Sequence, residues 1–181
     1  MRTKILELLN GKKIDPIPAF SGLTHVTAAG LEREGLPFHE VHRDADKLAR
    51  AAASTFRLTG FPSAALPLDM CVEAEALGAQ VDFRENGLYE FPRVARPLFS
   101  SVKEFTTETT EDTEILKRGR IATVCTTIAR LKADIGAEAV IGGILPGPFT
   151  LLLFLVEPGT LFNPMKRTPQ TVHDALIHLS S

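Results

Sequence analysis

Asp69 is the residue of this sequence best placed to do chemistry. It stands in Leu66-Pro67-Leu68-Asp69-Met70-Cys71, a lone carboxylate among apolar side chains. Such a setting disfavours the charged form, so Asp69 could act as an acid or orient a cationic or hydrogen-bonding group. It could equally cap a helix starting near Cys71, and the two roles are compatible. Glu73 and Glu75 follow on different faces of that helix, so only one of them can share a site with Asp69. His25, with Ser21 and Thr24 nearby, is a candidate base or ligand, although a lone histidine is more often structural. His39 and His42 flank Glu40 like a metal pair, but no third ligand lies at a suitable spacing. His173 and His178 fall on a late helix and are expected at the surface. Cys71 and Cys125 stand alone and read as buried small hydrophobes. The sequence holds no Cys-x-x-Cys, His-x-Cys, His-Glu-x-x-His, phosphate-binding glycine loop or Gly-x-Ser-x-Gly elbow.

The elements that must hold these residues follow from apolar periodicity and its breakers. Helices are expected over Thr3–Lys12, within Ser21–Gly35, over Asp44–Gly60 with Asp44 as N-cap, and over Cys71–Leu77. Ser63–Pro67 reads as a short buried strand, and Ala79–Phe83 alternates as a half-buried strand does. Residues 84–111 form a long irregular loop, of the kind that is usually functional or mobile. A long helix over Asp112–Ile135, a buried strand over Glu138–Leu145, a helix from about Phe149 and a last one over Pro169–Leu179 complete the series. Alternation of this kind predicts an α/β fold with a parallel sheet and crossover helices, either doubly wound or a barrel. Ligands in such folds bind at the C-terminal ends of strands. That rule selects the surroundings of His25, those of Asp69, and the turn Gly147-Pro148-Phe149-Thr150.

Composition bounds the function. The chain has 181 residues, 20 Lys+Arg against 22 Asp+Glu, and 44% hydrophobic residues. A net charge of −2 gives no electrostatic footprint for nucleic acid or an anionic membrane. Two cysteines cannot build a disulfide framework and suit a reducing cytoplasm. Met1-Arg2-Thr3-Lys4 leads into an amphipathic stretch rather than the apolar core of a signal peptide. Ala139–Val156 is uncharged over 18 residues, but Gly142-Gly143 and Pro146-Gly147-Pro148 cut it into pieces too short to span a bilayer.

Three stretches together resemble the uroporphyrinogen decarboxylase superfamily. They are Asn10-Gly11-Lys12-Lys13-Ile14-Asp15-Pro16-Ile17-Pro18, Leu66-Pro67-Leu68-Asp69-Met70-Cys71-Val72-Glu73-Ala74-Glu75-Ala76-Leu77-Gly78, and Gly147-Pro148-Phe149-Thr150-Leu151. Leu36-Pro37-Phe38-His39-Glu40-Val41-His42-Arg43-Asp44-Ala45-Asp46-Lys47 is closer to the methylcobamide:coenzyme M methyltransferase branch. The resemblance implies the N-terminal half of a (β/α)8 barrel, a single partial domain over residues 1–181. It implies Asp69 as the aspartate that the decarboxylases use in catalysis. It places His25, Glu73, Gly147, Pro148, Phe149 and Thr150 around the substrate.

The decarboxylases carry an arginine-rich segment after the first strand and a tyrosine further on. Here those places read Ala19-Phe20-Ser21-Gly22-Leu23-Thr24-His25, without arginine, and Phe154. A polycarboxylate substrate would lack its bidentate partners. The resemblance therefore implies transfer of a methyl group from a methylated corrinoid, free as methylcobalamin or held by a corrinoid protein, to a small thiol. Zinc is implied in the complete protein, on a His-x-Cys pair and a later cysteine that this chain lacks, so the chain alone is expected to be inactive. A decarboxylase-like lyase and a non-catalytic half barrel that binds a corrinoid or a partner are the alternatives. The open barrel edge of a half barrel is expected to pair with a second copy.

Overall fold

The computed structural model of the protein describes residues 1–108 and 119–179. In chain order its elements are α1 (Arg2–Leu9), α2 (Ala28–Glu34), α3 (Phe38–Val41), α4 (Ala45–Thr59), β1 (Ser63–Leu66), α5 (Val72–Ala76), β2 (Val81–Asp82), β3 (Arg93–Val94), α6 (Val102–Glu108), α7 (Ile121–Asp134), β4 (Val140–Gly143), α8 (Pro148–Leu155), α9 (Pro158–Arg167) and α10 (Pro169–His178). They form two compact units. The first comprises Met1–Asp69, Phe83–Phe91 and Ala122–Ile144; the second comprises Met70–Asp82, Pro92–Ile121 and Leu145–Ser181.

The first unit is built around α4 and β1. Asp44 starts α4 by accepting hydrogen bonds from the backbone N–H groups of Asp46 (2.8 Å) and Lys47 (2.9 Å). Gly60 ends it in the left-handed region at φ 73°, where a side chain would be strained. Leu48, Ala51, Ala52 and Ala53 are buried between these stops. Such small side chains let β1, itself buried along its whole length, pack closely against the helix. α2 packs on another part of α4, and Gly30 sets how near it comes. A Cβ at Gly30 would lie 2.7 Å from Ser54 Oγ and 2.9 Å from Thr27 Oγ1.

β1 pairs in parallel with β4, with Ser63 opposite Val140 and Leu66 opposite Gly143. The carbonyls of Pro62 and Leu66 accept from Val140 N and Ile144 N. Carbonyls alternate along a strand, so that of Ser63 points to the other edge. Leu131 and Ile135, at the end of α7, close the core together with Leu66, Leu68, Phe38 and Val41.

The second unit gathers α5, α6, α8, α9 and α10 around Phe105, Leu152, Leu155, Leu161, Val172 and Ala175. Leu98 N and Phe99 N both donate to Leu155 O (2.9 and 2.8 Å), and the Phe99 ring meets Phe105 edge-on at 5.4 Å. Among the described residues no helix is long and apolar enough to cross a membrane.

Several sequence expectations change. The strand expected over Ala79–Phe83 shrinks to β2, and it pairs antiparallel with β3 instead of joining the parallel sheet. The connection after it is too short for a crossover and returns the chain alongside itself. The irregular loop assigned to 84–111 contains β3 and α6. The expected helix Asp112–Ile135 is seen as α7 from Ile121, and residues 109–118 lie outside the described residues. The helix expected within Ser21–Gly35 is present as α2, ended by Gly35; the Thr27 hydroxyl caps its start by accepting from Gly30 N (3.1 Å). α9 is a separate helix despite an interior Pro164, the breaker that hid it from the sequence. Cys71 is buried as expected, but Cys125 is exposed, since α7 turns Thr127 and Leu131 inward instead.

Asp44→Ala is expected to cost about 1 kcal/mol at neutral pH, read as a lower urea midpoint. The bond from Lys47 N, aided by that from Asp46 N, holds the Asp44 carboxyl below the ordinary carboxylate range. A group depressed in this way stabilises above its unfolded-state value and loses that contribution as the pH falls through its folded-state value. The gap between variant and parent should therefore narrow on acidification through the carboxylate range. A gap that stays constant there would show that the charged cap contributes nothing.

Candidate functional site

Asp69 lies three residues past the end of β1, inside the first unit. Leu68 before it is buried, and so is the Asp69 side chain, at 1% exposure. One of its partners is His42, the residue that ends α3. His42 Nδ1 lies 3.1 Å from Asp69 Oδ2, and the imidazole is fully buried. A carboxylate oxygen accepts, so the arrangement assigns the proton to Nδ1. The ring stands edge-on to Phe38, with centroids 4.8 Å apart, and Phe38 stands edge-on to Phe91 at 5.1 Å. His42 Nε2 is also buried, with no hydrogen-bond partner among the described residues.

This pair was legible only in part. Asp69 stood out by its apolar setting, whereas His42 read as half of an improbable metal pair with His39. The structure separates the two histidines. His39 points outward, with its Nε2 3.9 Å from Glu40 Oε1. The missed signal was the spacing of Phe38, Val41 and His42, which puts all three on the inward face of one helical turn.

His25 sits at the other end of β1. Its Nε2 lies 2.7 Å from Ser63 O and its Nδ1 2.8 Å from Leu23 O. Both ring nitrogens thus face backbone carbonyls of the chain itself. Thr55 Oγ1 donates to His25 O (3.3 Å), Ser21 N donates to Ser63 Oγ (3.0 Å), and the ring stands edge-on to Phe61 at 5.1 Å. Asp69 follows Leu66 while His25 holds Ser63, so β1 keeps the two apart, about 3.3 Å per residue. His25 covers the edge of β1 that does not pair with β4.

The remaining candidates belong to the second unit. Glu75 accepts from Arg120 Nε at 2.6 Å, and the Arg120 side chain is almost wholly buried. This ion pair ties α5 to the chain just before α7. Glu73 is half-buried, and its Oε2 has no accessible surface. Cys71 Sγ donates to Pro92 O (3.4 Å) at the start of α5. Gly147 and Pro148 open α8 as N-cap and first residue and are exposed; Phe149 is exposed and Thr150 half-buried. Among the described residues no group of three or more His, Cys, Asp or Glu could hold a metal ion. The zinc implied by the resemblance therefore finds no ligand set there.

The protein-family model described as uroporphyrinogen decarboxylase (URO-D) matches residues 1–181, the whole chain. The chain belongs to the URO-D family. Curated relatives include a methylcobamide:CoM methyltransferase, MtbA, of Methanosarcina acetivorans, 28% identical over 155 residues. A second, MtaA of Methanosarcina barkeri, is 25% identical over 161 residues. The matches cover 83% and 87% of this URO-D chain but 43% and 45% of those proteins. The chain thus spans less than half the length of these relatives. A solved methyltransferase from Methanosarcina mazei superposes with a TM-score of 0.86 at 23% identity, over 98% of this chain and 51% of that one. The URO-D chain therefore has the fold of about half of that structure, as expected for a half barrel.

His25→Ala would leave the part-buried Ser63 carbonyl without its donor, at a cost of about 1–3 kcal/mol. Thermal unfolding of the two proteins checks this, and an unchanged midpoint would show that the imidazole does not secure the edge of β1.

Proposed function

We propose that this chain is half of a methyltransferase that moves a methyl group from a methylated corrinoid to a small thiol such as coenzyme M. The observation that carries the reading is the set of methylcobamide:CoM methyltransferases matched over more than four-fifths of the chain. The reaction forms an S–CH3 bond with a sulfur lone pair, breaks the Co–C bond with its electron pair left on cobalt, and releases the thiol proton. The thiolate is the nucleophile. In the first unit we assign Asp69 to the site. The zinc ligands that the resemblance implies are not among the described residues.

The lyase alternative is disfavoured by the residues around His25. The segment Ala19–His25 has no arginine, and its polar groups Ser21 and His25 are engaged by Ser63 and Leu23. A substrate with many carboxylates would find no bidentate partner in it. We place the protein in the cytoplasm, where its two cysteines stay reduced.

The test incubates methylcobalamin and coenzyme M with the longest polypeptide in which this sequence occurs, and separately with the 181-residue chain. Loss of the methylcobalamin absorbance and formation of the methylated thiol are expected with the former, and only the buffer rate with the latter. No transfer by the longest polypeptide, or release of CO2 from uroporphyrinogen, would sink the reading.

The outer edge of β4 is the proposed contact for a second copy. β4 reads Val140-Ile141-Gly142-Gly143, with no charge or proline to blunt it, and among the described residues it pairs only with β1. Sedimentation should therefore give twice the 19.7 kDa mass of the 181-residue chain. Ile141→Lys is expected to shift it to the monomer, and a parent chain that is monomeric at micromolar concentration refutes the contact.

A further inference from the structure

We propose that His42 is a positioning residue, whose Nδ1–H holds the Asp69 carboxylate in one orientation at the end of β1. The inference deepens the methyltransferase reading and rests on it for the importance of Asp69. The geometry itself stands independently.

Three observations carry it. First, the contact joins two fully buried side chains, 0% and 1% exposed, that are 27 positions apart in sequence. It links the end of α3 to the segment following β1. Secondly, the ring also packs edge-on against Phe38, which in turn packs edge-on against Phe91. An imidazole packed against both an aromatic ring and a carboxylate has little freedom, and neither has the carboxylate. Thirdly, Nε2 is buried without a partner among the described residues. A buried polar atom left unsatisfied costs about 1–3 kcal/mol. An apolar pair of similar volume is often as stable as a buried polar one, or more so. A site shaped for stability alone would not carry this imidazole; one shaped to aim a carboxylate needs the Nδ1 donor and can tolerate an idle Nε2.

The opposite assignment would have Asp69 orient His42, with Nε2 as the base. Burial argues against it, since a base must reach the proton that it takes. Nε2 has less than 1 Å² of accessible surface in this chain by itself.

Two measurements decide the proposal. In the 181-residue chain, nitrogen-resolved NMR of the imidazoles should show His42 as a single tautomer protonated at Nδ1. Asp69→Asn offers the ring an N–H as readily as an oxygen, and should release it into a tautomer mixture. A parent His42 already populating both tautomers overturns the proposal whatever the protein catalyses. The second measurement is methyl transfer by the longest polypeptide carrying this sequence. His42→Asn keeps a donor near the place of Nδ1 and lacks Nε2, so kcat should stay within about threefold of the parent. His42→Leu fills the space without a donor. Its kcat should fall at least tenfold, with KM for the thiol within about twofold, as expected when an aimed group rather than a binding contact is lost. A folded Leu variant with the parental kcat refutes the positioning role. Should Leu fail to fold, the Asn variant decides: a loss as large as tenfold there means that Nε2 is the working atom, which also overturns it. A parent without methyl transfer refutes the proposed function instead, and leaves the tautomer measurement to judge His42.

Discussion

β1 is buried at every one of its four residues, and the first unit is arranged around keeping it so. A strand in that position must satisfy its backbone on both edges and find close-packed surfaces for its side chains. The alanines of α4 supply a flat surface, β4 takes one edge, and His25 occupies the Ser63 carbonyl on the other. Gly30 lets α2 approach α4 at Ser54 without displacing it. Once β1 is fixed, Asp69 is fixed three residues later, with His42 Nδ1 against its carboxylate.

The constraint also explains which parts were readable in the sequence. α4 announced itself through Asp44, a regular apolar face and Gly60, each a local signal with a local cause. β1 and β4 were legible as short apolar runs bounded by Pro and Gly, and their parallel pairing followed from the alternation of elements. Asp69 stood out because a carboxylate between Leu68 and Met70 conflicts with its neighbours. What failed depended on partners distant in sequence. Nothing near His42 says that its ring turns toward residue 69, and nothing near His25 says that both ring nitrogens meet carbonyls. The alternation over Ala79–Phe83 is genuine, but periodicity cannot tell a parallel partner from an antiparallel one. Cys125 lies in an apolar run whose inward face was set by packing on Thr127 and Leu131.

The comparisons and the geometry bear on different parts of the function. The family match covers the chain from end to end, and the methyltransferases among its relatives are the ground of the proposed chemistry. The geometry narrows the roles. It gives His25 a task within the chain, pairs Glu75 with Arg120, and leaves Asp69 with His42 as the one buried acid–imidazole contact described. An aspartate can thus keep its place just past a strand end while a histidine from a short preceding helix lies against its carboxylate.

The first unit is discontinuous in sequence, and this has a consequence for how the protein is made. β1 ends at Leu66 and its neighbour β4 begins at Val140, so 73 residues separate them, most of them belonging to the second unit. At about 5–20 residues per second, a ribosome needs roughly 4–15 s to cross that interval. During that time β1 has α4, already synthesised, to cover one face, and His25 to hold one edge, but no strand on the other. The order of synthesis thus places the covering helix and the edge-holding histidine ahead of the strand that they protect.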